Sequence, residues 1–390
     1  MNEKRFIYLS YFLVIVGYMT LTLSLPLLQI IPRKVSYISL EEFHYGISLL
    51  FLMFAISAGT LSRVADIIGP HRILATAQVC SIVGLLVLAF TQATWMFYLG
   101  FILMGSGTGC YSSIGRLLVA KYSGSHEILR KSFSIFSMLI VIAPLLSSHL
   151  ALISNAFDWR LAYIIMAIIE VLLLTFAFFI LRKDKTENYS HNFKSILTGY
   201  FYCLKEPNYF FNLLFVGLGL AAIITILLGN ADHLFRQDLH ISIDISSWII
   251  LGVSFSYIIG IIFFRFLPER APFNLIRALF IFLLLGTSIW LYFDTSIYSI
   301  LIAIYLFCLA LGYIVPLSTS DGLLNIHEHQ GAASAIYTVS FALFSSIWSI
   351  LQTNLGFDTK AFIVLALFVT SCIFIVLMPF AHIFKPKKLT

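Results

Sequence analysis

Twelve apolar runs, each about 20–26 residues long, follow one another along the chain with little between them. They lie near 6–31, 45–64, 72–91, 95–120, 132–153, 160–181, 209–231, 246–267, 273–293, 297–320, 331–355 and 361–383. At a rise of 1.5 Å per residue, a helix of this length matches the roughly 30 Å of hydrocarbon in a bilayer. A backbone crossing hydrocarbon must satisfy its own N–H and C=O groups, so each run is predicted to be a membrane-spanning α-helix. Composition agrees, with 60% of the 390 residues hydrophobic and only 11% charged, where a soluble domain carries about 25% charge. A secreted disulfide scaffold, a disordered chain and a soluble enzyme on one anchor are excluded. The expected fold is all-α and integral to the membrane, with twelve transmembrane helices.

Charge orients these spans. With the amino terminus on the cytoplasmic side, 19 Lys and Arg fall on inner segments and five (Arg33, Lys34, Arg160, Arg236 and Lys360) on outer ones. Basic excess marks the cytoplasmic face, so both termini are expected there, in a bacterial-type inner (plasma) membrane. Met1–Arg5 and the run behind it lack an A-x-A cleavage site, and an uncleaved first helix is expected. The net charge of +6 sits in short clusters between spans and not in a basic stripe interleaved with aromatics, which argues against a nucleic-acid partner. The five cysteines are scattered and form no C-x-x-C, so neither a disulfide framework nor a metal site is expected. His327-Glu328-His329 does not place both histidines on one helix face. No cofactor is expected.

One longer polar segment, Arg182–Glu206, divides the chain. The organisation expected is an amino-terminal six-helix half over 1–182, a cytoplasmic central loop over 183–206 and a carboxy-terminal six-helix half over 207–390. Within the loop, Asn192–Leu204 is patterned for a short interfacial helix. A charged turn recurs about 200 residues apart, around Asp66–Arg72 and Arg265–Arg270. Two pseudo-symmetric halves are the parallel-repeat plan of a large transporter class.

Ser62-Arg63-Val64-Ala65-Asp66-Ile67-Ile68-Gly69-Pro70-His71-Arg72 resembles the loop between spans two and three of the major facilitator superfamily, with the pattern G-x-L-A-D-R-x-G-R-[KR]. Ala65, Asp66 and Gly69 match it, while Ser62 and Ile67 replace the first Gly and the first Arg. The resemblance gives Asp66, Gly69 and Arg72 the part of a conformational-switch loop. Gly105-Ser106-Gly107-Thr108-Gly109 with Arg116 in span four, and Ile142-Ala143-Pro144-Leu145-Leu146-Ser147-Ser148 in span five, resemble the Bcr/CflA-like drug:proton antiporter branch. Asp158-Trp159-Arg160 resembles the family's entry to span six. Two family positions differ: Phe101 stands where an Arg often opens the span-four motif, and Thr22 or a neighbour stands where an acid often precedes the span-one proline, here Pro26. Both missing residues are commonly assigned to proton coupling, which leaves the proton site to be sought elsewhere.

The resemblance implies that spans one, four, seven and ten line a central cavity. At 100° per residue, Tyr11, Tyr18, Thr22 and Gln29 share one stripe of span one, and Thr108, Ser112 and Arg116 share a face of span four. Tyr305 and Thr319 in span ten and Gln352 in span eleven complete the substrate-cavity candidates. For Arg116 a snorkelling or loop-pairing role is the alternative. Pro144 and Pro316 are hinge candidates, with a simple structural kink as the alternative for Pro316. Ionisable groups at membrane depth are costly, which makes Glu170, His149 and Asp232 the proton-coupling candidates. Glu170 is the only acid near the middle of a span; the other reading is a hydrogen-bonded structural acid, and span six is usually peripheral in the resembling family.

No P-loop, H-E-x-x-H or G-x-S-x-G is present, so an enzyme is not expected. The function expected is secondary active transport by alternating access, as a monomer. Proton-coupled export of a small organic molecule such as a multidrug cargo, a siderophore or a metabolite comes first. An uptake permease is the alternative, and a non-transporting sensor or scaffold a remote one.

Overall fold

The computed structural model describes residues 3–27, 30–181, 195–223, 234, 240–241, 243–268, 270–294, 296–324, 326, 329–355 and 359–383, and among these there is no strand. Among the described residues, twelve helices have 15 residues or more: α1 (Glu3–Thr22), α4 (Leu40–Ile68), α5 (Pro70–Ala89), α6 (Thr94–Tyr122), α7 (His126–Asn155), α8 (Arg160–Leu181), α10 (Pro207–Ala221), α11 (Ile243–Phe266), α12 (Phe273–Phe293), α13 (Ile297–Leu323), α14 (Gln330–Leu355) and α15 (Thr359–Ile383). Three short ones stand between them, α2 (Ser24–Leu27), α3 (Ile31–Lys34) and α9 (Ser195–Lys205). The long helices coincide in order with the twelve apolar runs. α9 covers most of the segment patterned for an interfacial helix and ends one residue past it, exposing Phe201 and Tyr202 while Cys203 is buried.

Local chemistry sets the boundaries. α4 opens on a capping box in which Ser39 and Glu42 each accept from the other's backbone N–H. It closes at Gly69, whose φ of 98° is open to a residue without a Cβ, and Pro70 then begins α5 at the position where a missing N–H costs nothing. The carboxylate of Asp158 accepts from the Arg160 N–H at 3.0 Å at the start of α8. The first run, expected as one helix, is interrupted at Leu23 between α1 and α2. Pro26 explains this, because a proline ring clashes with the carbonyl four residues earlier, here that of Thr22.

Among the described residues, eight segments are long and apolar enough to cross a membrane, and α6 and α14 are not among them. α6 is too rich in Gly, Ser and Thr, and it buries most of its length inside the protein, away from lipid.

The chain divides into two compact units. Unit 1 comprises Met1–Gly124, Leu139–Phe201 and Glu328–Val339, and unit 2 comprises Ser125–Met138, Tyr202–His327 and Ser340–Thr390. In unit 1, α6 is the hub along which α4, α5 and α1 pack, and α8 closes the group against α5 and α1. In unit 2, α13 is the hub for α11, α12 and α10, and α15 closes against α12 and α10. Around the hubs α6 and α13, the packing of α1, α4, α5 and α8 is repeated by α10, α11, α12 and α15.

Each hub is held by close backbone approach. A Cβ on Gly109 of α6 would lie 2.3 Å from the Phe54 carbonyl of α4. One on Gly312 of α13 would lie 2.1 Å from the Tyr257 carbonyl of α11. Small residues permit such approach where lipid supplies no hydrophobic drive between helices.

Candidate functional site: a buried acid and a buried arginine on one helix pair

α8 carries Met166, Ala167, Glu170, Leu173 and Ala177 on its buried stripe, while Leu172, Phe176 and Phe179 face outward. This period of three and four residues brings Glu170 to the centre of unit 1 with no exposed surface. Three other helices each supply a hydroxyl. Thr20 Oγ1 of α1 donates to Glu170 Oε1 at 3.0 Å, and Ser81 Oγ of α5 donates to the same oxygen at 3.2 Å. Tyr111 Oη of α6 donates to Oε2 at 2.8 Å. A hydroxyl both donates and accepts. A carboxylate here receives three hydrogen bonds, and a protonated acid can donate to a hydroxyl that turns to accept. The cage can therefore serve both states of the acid.

Unit 2 makes the corresponding helix contact differently. Where α5 meets α8 through Ser81 and Glu170, α12 meets α15 through Ser288 Oγ and Ser371 Oγ at 3.3 Å. The helix crossing does not require an acid.

A second cluster lies on other faces of α1 and α6. Arg116 is 1% exposed; its Nη1 donates to Ser112 Oγ at 2.7 Å and to Thr338 Oγ1 of α14 at 2.6 Å. Ser113 Oγ stands 3.1 Å from the same Thr338 oxygen. The buried Tyr18 ring presents its hydroxyl to Arg116 and Ser112. Arg116 therefore does not snorkel, because its guanidinium turns inward to hydroxyl partners. Tyr111 and Ser112 are adjacent in α6, and Thr20 and Tyr18 are two apart in α1. The same helix pair thus holds the acid on one face and the arginine on another.

Tyr18, Ser112 and Arg116 are brought together, with Thr108 one turn earlier on α6 donating to the Met104 carbonyl at 2.9 Å. Half-buried Thr22 reaches Ser147 of α7 at 2.8 Å, and Tyr11 meets the Tyr8 ring edge-on. Tyr305 lies against Gly252 of α11, its hydroxyl 3.4 Å from the Ile249 carbonyl, and Thr319 donates to the Val315 carbonyl at 2.9 Å. His149 is exposed, with Nδ1 2.9 Å from the Leu145 carbonyl. The helices run through Pro144 and Pro316 without interruption. Arg72 is exposed on the first turn of α5. Gln29, Asp232 and the side chains of Asp66 and Gln352 lie outside the described residues.

Three partners of the acid, Thr20, Ser81 and Tyr111, escape the sequence reading, as does a buried polar cluster in unit 2. There Arg277 of α12, 3% exposed, donates to Asn212 of α10 at 3.0 Å and to Asn274, and lies over the Phe215 ring. The missed signal is a set of single polar residues in otherwise apolar runs, which gain meaning only once the helices are placed.

Comparison with known proteins follows the same lines. The chain is similar to the multidrug resistance protein MdtG of Dickeya zeae (strain Ech586), 28% identical over 133 residues, a match that spans 33% of this chain and 31% of that relative. Among solved structures, the proton:xylose symporter XylE superposes with a TM-score of 0.76 at 14% identity, covering 98% of this chain and 96% of that one. The human organic anion transporter MFSD10 superposes at 0.72 and 11% identity, covering 97% and 99%. The E. coli fucose:proton symporter FucP does so at 0.72 and 16%, covering 98% of each chain. At these identities the structures show a shared fold. The family model described as the Major Facilitator Superfamily matches residues 7–349, and the chain belongs to that superfamily of non-enzymatic membrane carriers.

Proposed function

We propose that this secondary transporter couples proton movement to export of a small organic molecule by alternating access, and that Glu170 carries the proton. The observation behind the reading is the hydroxyl cage of Glu170, supplied by three helices of unit 1 around the acid of a fourth. It offers partners to either protonation state, at a crossing that unit 2 makes with two serines. The Arg116 cluster on the other faces of α1 and α6 is the proposed substrate-side patch. A change of proton at Glu170 then acts on the substrate through the helix pair that both clusters share. The antiporter-like motifs of spans four and five and the partial likeness to a multidrug resistance protein favour export of drug-like, siderophore or metabolite cargo. The working arrangement we propose is a monomer in the inner membrane, both termini cytoplasmic, with halves 1–182 and 207–390, joined by the 183–206 loop, rocking around a midplane site.

Inverted membrane vesicles test the reading. Candidate amphipathic compounds are supplied outside under an imposed pH gradient, and accumulation is followed together with proton efflux. Gradient-dependent accumulation with matched proton release is expected. Uptake that ignores the gradient would sink the coupling, and movement in the opposite direction would make the protein an uptake permease.

A further inference from the structure

Near the basic end of α5, a groove of about 380 Å³ lies between α5 and α8, lined by His71, Arg72, Leu74, Gln78, Leu174 and Phe178 among others. His71 and Arg72 are exposed at its mouth. Its walls are apolar except at Gln78, which is fully buried and whose amide nitrogen and oxygen both lack a hydrogen-bond partner among the described residues. An amide in such surroundings is costly unless something pairs with it. The neighbouring surface of α8 presents Leu172, Phe178 and Phe179, 65%, 51% and 65% exposed, as a helix facing lipid does.

We propose that this groove binds one anionic phospholipid. Arg72, with its planar donor fork, and His71 hold the phosphate. The Gln78 side chain turns toward the groove on binding, so that its amide N–H donates to an acyl-ester carbonyl and water of the ester region serves its oxygen. One acyl chain lies along Leu74, Leu174 and Phe178. The spacing fits: six residues separate Arg72 from Gln78, about 9 Å along the axis, and helical side chains lean back toward the N-terminus. The amide thus comes close to the lower edge of a headgroup layer about 5–8 Å deep. A free anion would use the basic mouth alone and leave the apolar wall and the buried amide unoccupied.

The purified protein is titrated with phosphatidylglycerol and with phosphatidylethanolamine, and bound lipid is counted by native mass spectrometry. One phosphatidylglycerol is expected to bind about tenfold more tightly than phosphatidylethanolamine, whose ammonium offsets the charge of its own phosphate and is repelled by the basic mouth. Arg72→Gln, at an exposed position, should abolish that preference. Gln78→Leu should weaken both lipids about tenfold, the loss of a buried hydrogen bond. Unchanged preference in Arg72→Gln overturns the proposal even if Gln78→Leu does not fold. Equal affinities in the wild type and folded Gln78→Leu also overturn it, because Gln78 then pairs with water. Displacement of the lipid by inorganic phosphate at equal concentration would reduce the site to an anion site and overturn the lipid assignment.

Discussion

At the scale of single residues, the cage around Glu170 separates a proton carrier from an architectural acid. If the acid only packs, Glu170→Gln keeps hydrogen-bonding capacity at nearly the same shape and transport survives. If it carries the proton, Glu170→Gln lowers pH-gradient-driven transport by at least about a hundredfold, the size of an essential proton-transfer contribution. Exchange of labelled for unlabelled substrate, which needs no net proton movement, persists in the same variant. Glu170→Asp restores gradient-driven transport in part, since a shorter carboxyl still titrates. Loss of exchange in a folded Glu170→Gln would assign the residue to substrate binding. The acid was legible in the sequence because a charge inside an apolar run stands out in hydropathy. Its partners were not, since a hydroxyl can satisfy itself on its own helix: the Val16 carbonyl, 2.9 Å from Thr20 Oγ1, is the alternative acceptor for the one hydrogen that Thr20 otherwise gives Glu170. Such residues leave no local mark, and they lie 150, 89 and 59 positions from Glu170.

At the scale of helices, backbone approach and capping govern stability. Gly312 and Gly260 face each other across the α11–α13 crossing, where a Cβ on Gly260 would lie 2.0 Å from the Leu309 carbonyl. Gly312→Val forces that crossing apart and is expected to destabilise unit 2 by about 1–3 kcal/mol, the usual cost of overpacking. Thermal unfolding in detergent reads the loss; an unchanged midpoint would mean the helices can separate freely. The turn into α13 carries a pH dependence of its own. The exposed Asp294 carboxylate accepts from the Ser299 hydroxyl and the Ser296 N–H, which hold it below the ordinary carboxylate range. A lowered folded value stabilises the protein above the ordinary value of about 3.9 and is lost as pH falls through the folded value. Asp294→Asn should therefore lower the unfolding midpoint at pH 7, and the gap to wild type should close in strong acid. A gap that stays constant with pH would show that the charge does not matter there. Helix positions were readable because hydropathy and Pro or Gly punctuation act locally. The interruption of the first run at Leu23 was not recognised, although Pro26 stood in the sequence, because the whole run remains apolar through it.

At the scale of the whole molecule, the repeat in helix packing was visible in the sequence only as two charged turns and a central polar loop. A shared contact pattern can be kept by many different apolar side chains, so duplication fades in sequence before it fades in structure. What the repeat leaves unequal is where motion can be tested. α14 is divided between the units: residues up to Val339 group with unit 1 and those from Ser340 onward with unit 2. The unit 1 portion is gripped at Thr338 by Arg116, with Ser113 3.1 Å from the same oxygen. Under the proposed alternating access, a helix shared in this way has to release one grip in each cycle. Ser113→Cys with Thr338→Cys, in a background where the five native cysteines are replaced, places two thiols where the hydroxyls now meet. Oxidation or a short bis-alkylating bridge should then stop transport by more than about tenfold, with reduction of the disulfide restoring it. Each single-cysteine variant should transport equally well before and after the same treatment, whatever its starting rate. Full transport in protein shown by mass spectrometry to be cross-linked would mean that the start of α14 never leaves α6, and the hinge of the cycle would have to lie elsewhere.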